Sequence, residues 1–355
     1  MEDMTVVGWF PAYVADVLDV IGDGGWLVQN FNVKSHDEAL NPASYLYNSR
    51  FGESAYTACV DLNVFQFMVN SVKKNSPHPL YRAAIAYLAF CQVAEIEVDP
   101  TYAVYEKVNH QAERAREGVD DLAIFHRLNN MPTEELALYA AGESDVLNLD
   151  NSLDSVEVGH IESELTRYTR LKEWPSLYAI ILAIVDIEID SHIPARKKLG
   201  IFIEWSFRVF RNSLPGFVFA VSVFGHHRLG RAMKFDRSQP VSARKSALQN
   251  MTWDLYYMQQ YFQRWVDRSP GTETMFLTND GAFGQILGLS IEVQKKGSLD
   301  PLERYINKFD QQMFAYMVDP DTYPHERAYK SDAWGVEYRG KVISELEGKL
   351  LGAEA

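Results

Sequence analysis

Tyr56-Thr57-Ala58-Cys59-Val60-Asp61-Leu62-Asn63-Val64 (residues 56–64) is an apolar run that ends on a carboxylate and passes at once into helical spacing. The first five residues, with β-branched Thr57 and Val60, suit a short buried strand. From Val64 to Val72 the apolar residues recur at the three-and-four spacing of a helix. Asp61-Leu62-Asn63 is therefore a strand-to-helix junction, the local signature of an α/β fold.

Working outward, Pro79 to Val93 reads as a helix, and Glu95-Ile96-Glu97-Val98 alternates like a strand. Asp99-Pro100 breaks that strand into a helix that begins near Thr101. Strand and helix alternate here as in a parallel sheet. Upstream, Ile21-Gly22-Asp23-Gly24-Gly25-Trp26 is a turn ahead of a short apolar strand, so residues 1–50 read as an N-terminal extension or edge element. From 111 to 245 the alternation gives way to helical signals. Pro132-Thr133-Glu134-Glu135 opens one helix, and Trp174 to Val223 holds several, separated near Pro194 and Pro215. We read this stretch as a helical insertion.

The sheet pattern then returns. Ala247 to Val266 is an amphipathic helix, Arg268-Ser269-Pro270-Gly271 a turn, and Thr274 to Leu277 a strand that runs into Thr278-Asn279-Asp280. Residues 51–110 and 246–297 thus form the α/β core. Residues 298–355 form a helical extension, with Asp300 as N-cap, Pro301 at the first helical position and Glu303 at N3.

Three carboxylates stand out against this frame. Asp254 falls within the apolar stripe of the 247–266 helix, beside Met251, Tyr257, Met258 and Tyr261. A carboxylate there is paired, for instance with a tyrosine or an arginine, or protonated, or bound to a metal, because an isolated buried charge is costly. Asp61 and Asp280 each follow a short strand closely. Open parallel sheets bind ligands outside the carboxyl ends of their strands, so both side chains reach one rim. Taken singly, each also fits ordinary capping and turn chemistry. Carboxylates that converge on one crevice repel unless a cation neutralises them, and all-oxygen ligation suits Mg²⁺ or Mn²⁺.

These motifs resemble the PIN-like domain family. Its first motif, a strand running into Asp-x-Asn, is matched by Ala58-Cys59-Val60-Asp61-Leu62-Asn63-Val64. Its middle acidic residue, early in a helix after a strand and a proline, looks like Glu106 in Pro100-Thr101-Tyr102-Ala103-Val104-Tyr105-Glu106; Glu95 and Glu97 lie close enough to compete for that place. Its later helical Asp is similar to Asn250-Met251-Thr252-Trp253-Asp254-Leu255, and its final strand into Thr-x-Asp to Phe276-Leu277-Thr278-Asn279-Asp280. The resemblance covers roughly 55–110 and 245–295 of the sequence, and the long insertion between them departs from the compact family pattern. It implies a PIN-like central parallel sheet flanked by helices. It also implies metal-dependent hydrolysis of a phosphodiester, usually in RNA, as in ribonucleases that serve as toxins or defence effectors. Asp61, Glu106, Asp254 and Asp280 would hold Mg²⁺ or Mn²⁺, with Asn63 and Thr278 orienting them. The other reading is a noncatalytic PIN-like scaffold that binds RNA or a protein partner.

A net charge of −14 excludes an indiscriminate polyanion binder, since phosphate-backbone affinity is built from Lys and Arg. One stretch reverses that sign. Between Trp205 and Trp253, eight basic residues meet one acidic residue, Asp236, and Arg228, Arg231, Lys234 and Arg237 are the candidate contacts to an RNA or DNA substrate. A solvated helix surface, a homo-oligomer contact or a regulatory partner are the alternative uses. His226-His227 makes a poor metal motif. Asp186, Asp190 and His192 read as a capped helix end before a metal pair.

The longest apolar stretches, Leu177–Val185 and Phe217–Phe224, are about half of the roughly 20 residues a bilayer requires, so no membrane span is expected. The acidic start Met1-Glu2-Asp3-Met4 is unlike a secretory signal. Cys59 and Cys91 sit in apolar runs and read as buried free thiols, which fits a reducing cytoplasm.

Overall fold

A computed structural model describes residues 9–22, 25–31, 36–74, 76–110, 115–149, 171, 173–319 and 335–352. The chain divides into two compact units, one of Met1–Arg170 with Tyr261–Gly281, the other of Leu171–Gln260 with Ala282–Ala355.

The first unit is α/β. Its elements are α1 (Tyr13–Ile21), β1 (Leu27–Gln29), α2 (His36–Ala39), α3 (Pro42–Phe51), β2 (Ala55–Val60), α4 (Leu62–Lys73), α5 (Pro79–Val93), β3 (Ile96–Asp99), α6 (Thr101–His110), α7 (Ala115–Asn129) and α8 (Thr133–Ala141). β4 (Thr272–Leu277) completes the sheet, in the order β1-β4-β2-β3. β2 runs parallel to both neighbours, with Cys59 opposite Asp99 and Val60 opposite Leu277, and β1 is the antiparallel edge. The chain leaves β2 for β3 on one side and returns as β4 on the other. The strand order therefore reverses at β2, the place where open sheets leave a crevice at their carboxyl ends.

Burial explains these choices. Ala58, Cys59 and Val60 on β2 and Met275, Phe276 and Leu277 on β4 are fully enclosed, as expected of strands covered on both faces. Val64, Phe65, Met68 and Val69 are the buried face of α4, and each such side chain is worth roughly 1.5–3 kcal/mol of apolar transfer. Leu122, Phe125, Leu136 and Tyr139, on α7 and α8, share that core with the sheet. Trp26 stacks on Tyr87 at 5.3 Å, and its amide donates to the Tyr87 hydroxyl at 3.2 Å.

The second unit is helical among its described residues. It contains α9 (Trp174–Ile189), α10 (Ala195–Arg208), α11 (Leu214–Phe224), most of α12 (Val241–Asp267), α13 (Gly281–Lys296) after its first residue, α14 (Lys308–Val318) and α15 (Val336–Leu351). α9 and α11 are apolar on nearly every side and buried, which accounts for the two long apolar runs. Gly216 lets them approach, since a Cβ there would lie 3.0 Å from the Ile180 side chain. Pro215 opens α11 where the sequence suggested only a break, with Ser213 accepting the Gly216 amide as N-cap. No described helix is long and apolar enough to cross a membrane.

The tail departs from the capping pattern read at Asp300. Asp300–Leu302 is a single 3₁₀ turn, and the next helix starts at Lys308, capped by Asn307. The Tyr305 carbonyl accepts from the His226 amide at 2.8 Å, so it is spent outside any helix.

Candidate functional site

The carboxyl ends of β2 and β4 meet through one hydroxyl. Asp61 directly follows β2 and is the N-cap of α4, its Oδ1 accepting the Val64 amide at 2.7 Å. Its Oδ2 accepts from Thr278 Oγ1 at 2.6 Å. That oxygen in turn accepts the Asp280 amide at 3.0 Å. Backbone ladders hold both ends, because the Asp61 amide reaches the Leu277 carbonyl at 3.1 Å and the Thr278 amide the Trp26 carbonyl at 2.9 Å. The loop after β4 is thereby tied to the residue after β2. Asp61 and Thr278 are buried, and Asp280 is half-buried at the rim.

Neighbouring β3 ends on a third carboxylate in a different state. Asp99 Oδ1 accepts the Thr101 amide at 2.8 Å, and Oδ2 pairs with Arg264 at 2.6 Å. Arg264 also reaches Cys59 Sγ at 3.3 Å and stacks its guanidinium over the Tyr102 ring at 4.7 Å. A bonded cation therefore compensates the carboxylate at the β3 end, while hydroxyl and amide donors orient the one at the β2 end. Sequence reasoning missed this cluster. Its one visible sign was a basic residue in the last turn of the 247–266 helix.

Glu106 is buried on α6, a helix that packs against α4 and β2. Asn63 is exposed in the first turn of α4. Asp254 belongs to the second unit, where its Oδ2 pairs with Lys234 Nζ at 2.7 Å. The apolar stripe thus carries a compensated charge, and one of its partners is a lysine. Among the described residues, no group of three or more His, Cys, Asp or Glu side chains is gathered as a metal-ligand set.

Arg228, Arg231, Lys234 and Arg237 lie on the loop from α11 to α12, whereas Arg208 ends α10 and Arg244 and Lys245 lie on α12. Arg228 pairs with Glu188 at 2.8 Å, and Lys234 is held by Asp254. Arg231 and Arg237 are exposed and make no ion pair among the described residues, and Arg231 adopts a left-handed φ of 70°. Asp186 pairs with Lys349 at 3.0 Å, and Asp190 caps the His192 amide at 2.8 Å, which is the helix-end chemistry read from sequence.

A buried carboxylate also went unnoticed. Asp121 on α7 is 1% exposed, receives Lys73 from α4 and Lys107 from α6, and accepts Gln66 Nε2 at 3.2 Å. It staples three helices together, and no local pattern links positions so far apart.

Compared with protein-family models, curated proteins and solved structures, the chain matches none.

Proposed function

We propose that the chain is a metal-dependent nuclease with a PIN-like core, acting on a phosphodiester of RNA. The observation that carries this reading is the Asp61–Thr278–Asp280 chain of hydrogen bonds at the carboxyl rim, where the strand order reverses.

The donor chemistry fits a hard divalent ion. Asp61 accepts the Val64 amide on Oδ1 and the Thr278 hydroxyl on Oδ2, and each carboxylate oxygen can accept more than one donor or ligand. Mg²⁺ commonly rests on one or two carboxylates, with water and substrate phosphate completing its shell. Asp61 and Asp280 would supply those carboxylates, and Glu106 is the further acidic group of this reading in the same unit. Asp254 lies in the other unit, paired with Lys234.

When bound, such an ion lowers the pKa of its water and neutralises charge on the phosphodiester. The residues do the rest. Thr278 donates to Asp61 and so orients that carboxylate. Arg264, a third exposed along its side chain and held by Asp99, is a pre-oriented guanidinium at the end of α12. Arg228, Arg231, Lys234 and Arg237 are the proposed phosphate contacts.

The test is cleavage of labelled single-stranded RNA and DNA by the full chain. Activity with Mn²⁺ or Mg²⁺, loss with EDTA, and a fall of roughly 100-fold or more in Asp61→Asn are expected. Asp61→Asn keeps an oxygen for the Val64 amide, so the helix cap survives. Equal cleavage by both proteins contradicts the proposal, and RNA binding without cleavage by the wild type favours the scaffold reading.

A further inference from the structure

The helical unit carries a cavity of about 320 Å³ whose lining is chemically mixed. Arg196, His226 and Arg228 stand on its wall, with Tyr305, Asn307 and Asp310 opposite in chemistry. Every lining residue lies in that one unit.

The wall is built, not incidental. Glu188 holds Arg228 at 2.8 Å with one carboxylate oxygen and Lys198 at 3.0 Å with the other. Gly225 lets the His226 segment lie against Tyr305, because a Cβ there would sit 2.5 Å from the Val221 carbonyl and 2.7 Å from that of Tyr305. Arg196 makes no ion pair or hydrogen bond among the described residues through its guanidinium, which leaves its charge for a ligand. It lies in the first turn of α10, a 14-residue helix whose N-cap, Pro194, makes no side-chain hydrogen bond. The amides of that turn add a positive dipole end to three basic side chains.

Asp310 supplies the opposite pole. It is 4% exposed, and its Oδ2 accepts from Asn307 Nδ2 at 2.7 Å. Its Oδ1 has no hydrogen-bond partner among the described residues, although Asp310 lines the cavity. Burial raises its pKa, against the lowering effects of Asn307 and His226. With Oδ2 taken by Asn307, Oδ1 is the oxygen that can accept a donor on a molecule in the cavity.

From this arrangement we infer that the cavity binds a small phosphomonoester carrying a hydroxyl or amine donor, with the phosphate on Arg196, Arg228 and His226 and the donor on Asp310. A phosphate monoester bears close to two negative charges, which suits this cationic wall better than a carboxylate does. The volume lies at the small end of ligand pockets, which are roughly 300–1,000 Å³. This site is separate in sequence and unit from Asp61 and shares only Arg228 with the proposed nuclease contacts, so tests at Arg196 and Asp310 stand or fall apart from the nuclease reading.

Isothermal titration of the full chain with inorganic phosphate, ribose 5-phosphate, AMP and unphosphorylated ribose tests the site. Saturable one-to-one binding is expected for ribose 5-phosphate or AMP, weaker binding for phosphate, and none for ribose. Arg196→Gln should weaken every phosphate ligand by roughly tenfold or more, the cost of one charged hydrogen bond. Asp310→Asn should weaken ribose 5-phosphate or AMP by a similar factor and leave inorganic phosphate unchanged. Circular dichroism reports folding of each variant, and Asp61→Asn should bind as the wild type does. No saturable binding by any phosphate compound, or unaltered affinity in Arg196→Gln or Asp310→Asn, overturns the inference.

Discussion

Asp61 carries most of the weight in this account because two of its roles coincide. It caps α4 through one oxygen and takes the Thr278 hydroxyl on the other, so capping chemistry and site chemistry are not rivals here. Thr278→Val should remove the hydroxyl donor to Oδ2 and cost about 1–3 kcal/mol, with Thr278→Ser restoring most of it. Urea denaturation of both variants measures this. Asp121→Ala should be harsher, about 3–5 kcal/mol, because Lys107 is left largely enclosed with an uncompensated charge; the same denaturation series reports it. The rim residues Asp61, Thr278 and Asp280 were legible because strand ends dictate where their side chains emerge. The partners of Asp254 and Asp121 were not, since Lys234, Lys73 and Lys107 are joined to them only by tertiary packing. Periodicity showed that Asp254 was out of place, but not what compensates it.

Among the elements, β2 with α4, β3 and β4 could be read from residue order, because short apolar runs met helix caps and turn residues at each end. Helix lengths were less legible. The 247–266 helix begins six residues earlier, at Val241, where polar residues give no apolar period. The expected helix at Asp300 reduces to one 3₁₀ turn, and the Tyr305 carbonyl beyond it accepts from the His226 amide. The turn before β4 shows how strictly one residue can be required. Gly271 has φ +79°, and a Cβ there would stand 2.5 Å from the Glu53 carbonyl. Its own carbonyl accepts the Ala55 amide at 2.7 Å, which starts the β2–β4 pairing. Gly271→Ala should therefore lower stability by about 1–3 kcal/mol, visible as a reduced unfolding midpoint.

At the scale of the whole chain, the net charge of −14 constrains the proposed substrate more than the fold does. The proposed nucleic-acid substrate would bind through a local basic surface, with an affinity that falls steeply as salt rises. The composition indicated a globular chain without indicating how it divides. The unit that holds the sheet is completed by a segment distant in sequence, 261–281, and α7 and α8 share its core. Both cysteines report on the packing of that unit. They are free and buried, and burial pushes the Cys91 thiol up to about 12, so neither should react with iodoacetamide at pH 8 until the unit unfolds. Mass spectrometry across a urea series should show labelling that follows the unfolding transition. The most direct measurement of the central claim is Mn²⁺ binding, followed by the loss of the free-ion EPR signal on titration into the protein. The wild type should take up Mn²⁺ saturably, with Asp61→Asn and Asp280→Asn each weaker by roughly 10-fold or more. Identical uptake by all three proteins, or none by the wild type, would contradict it.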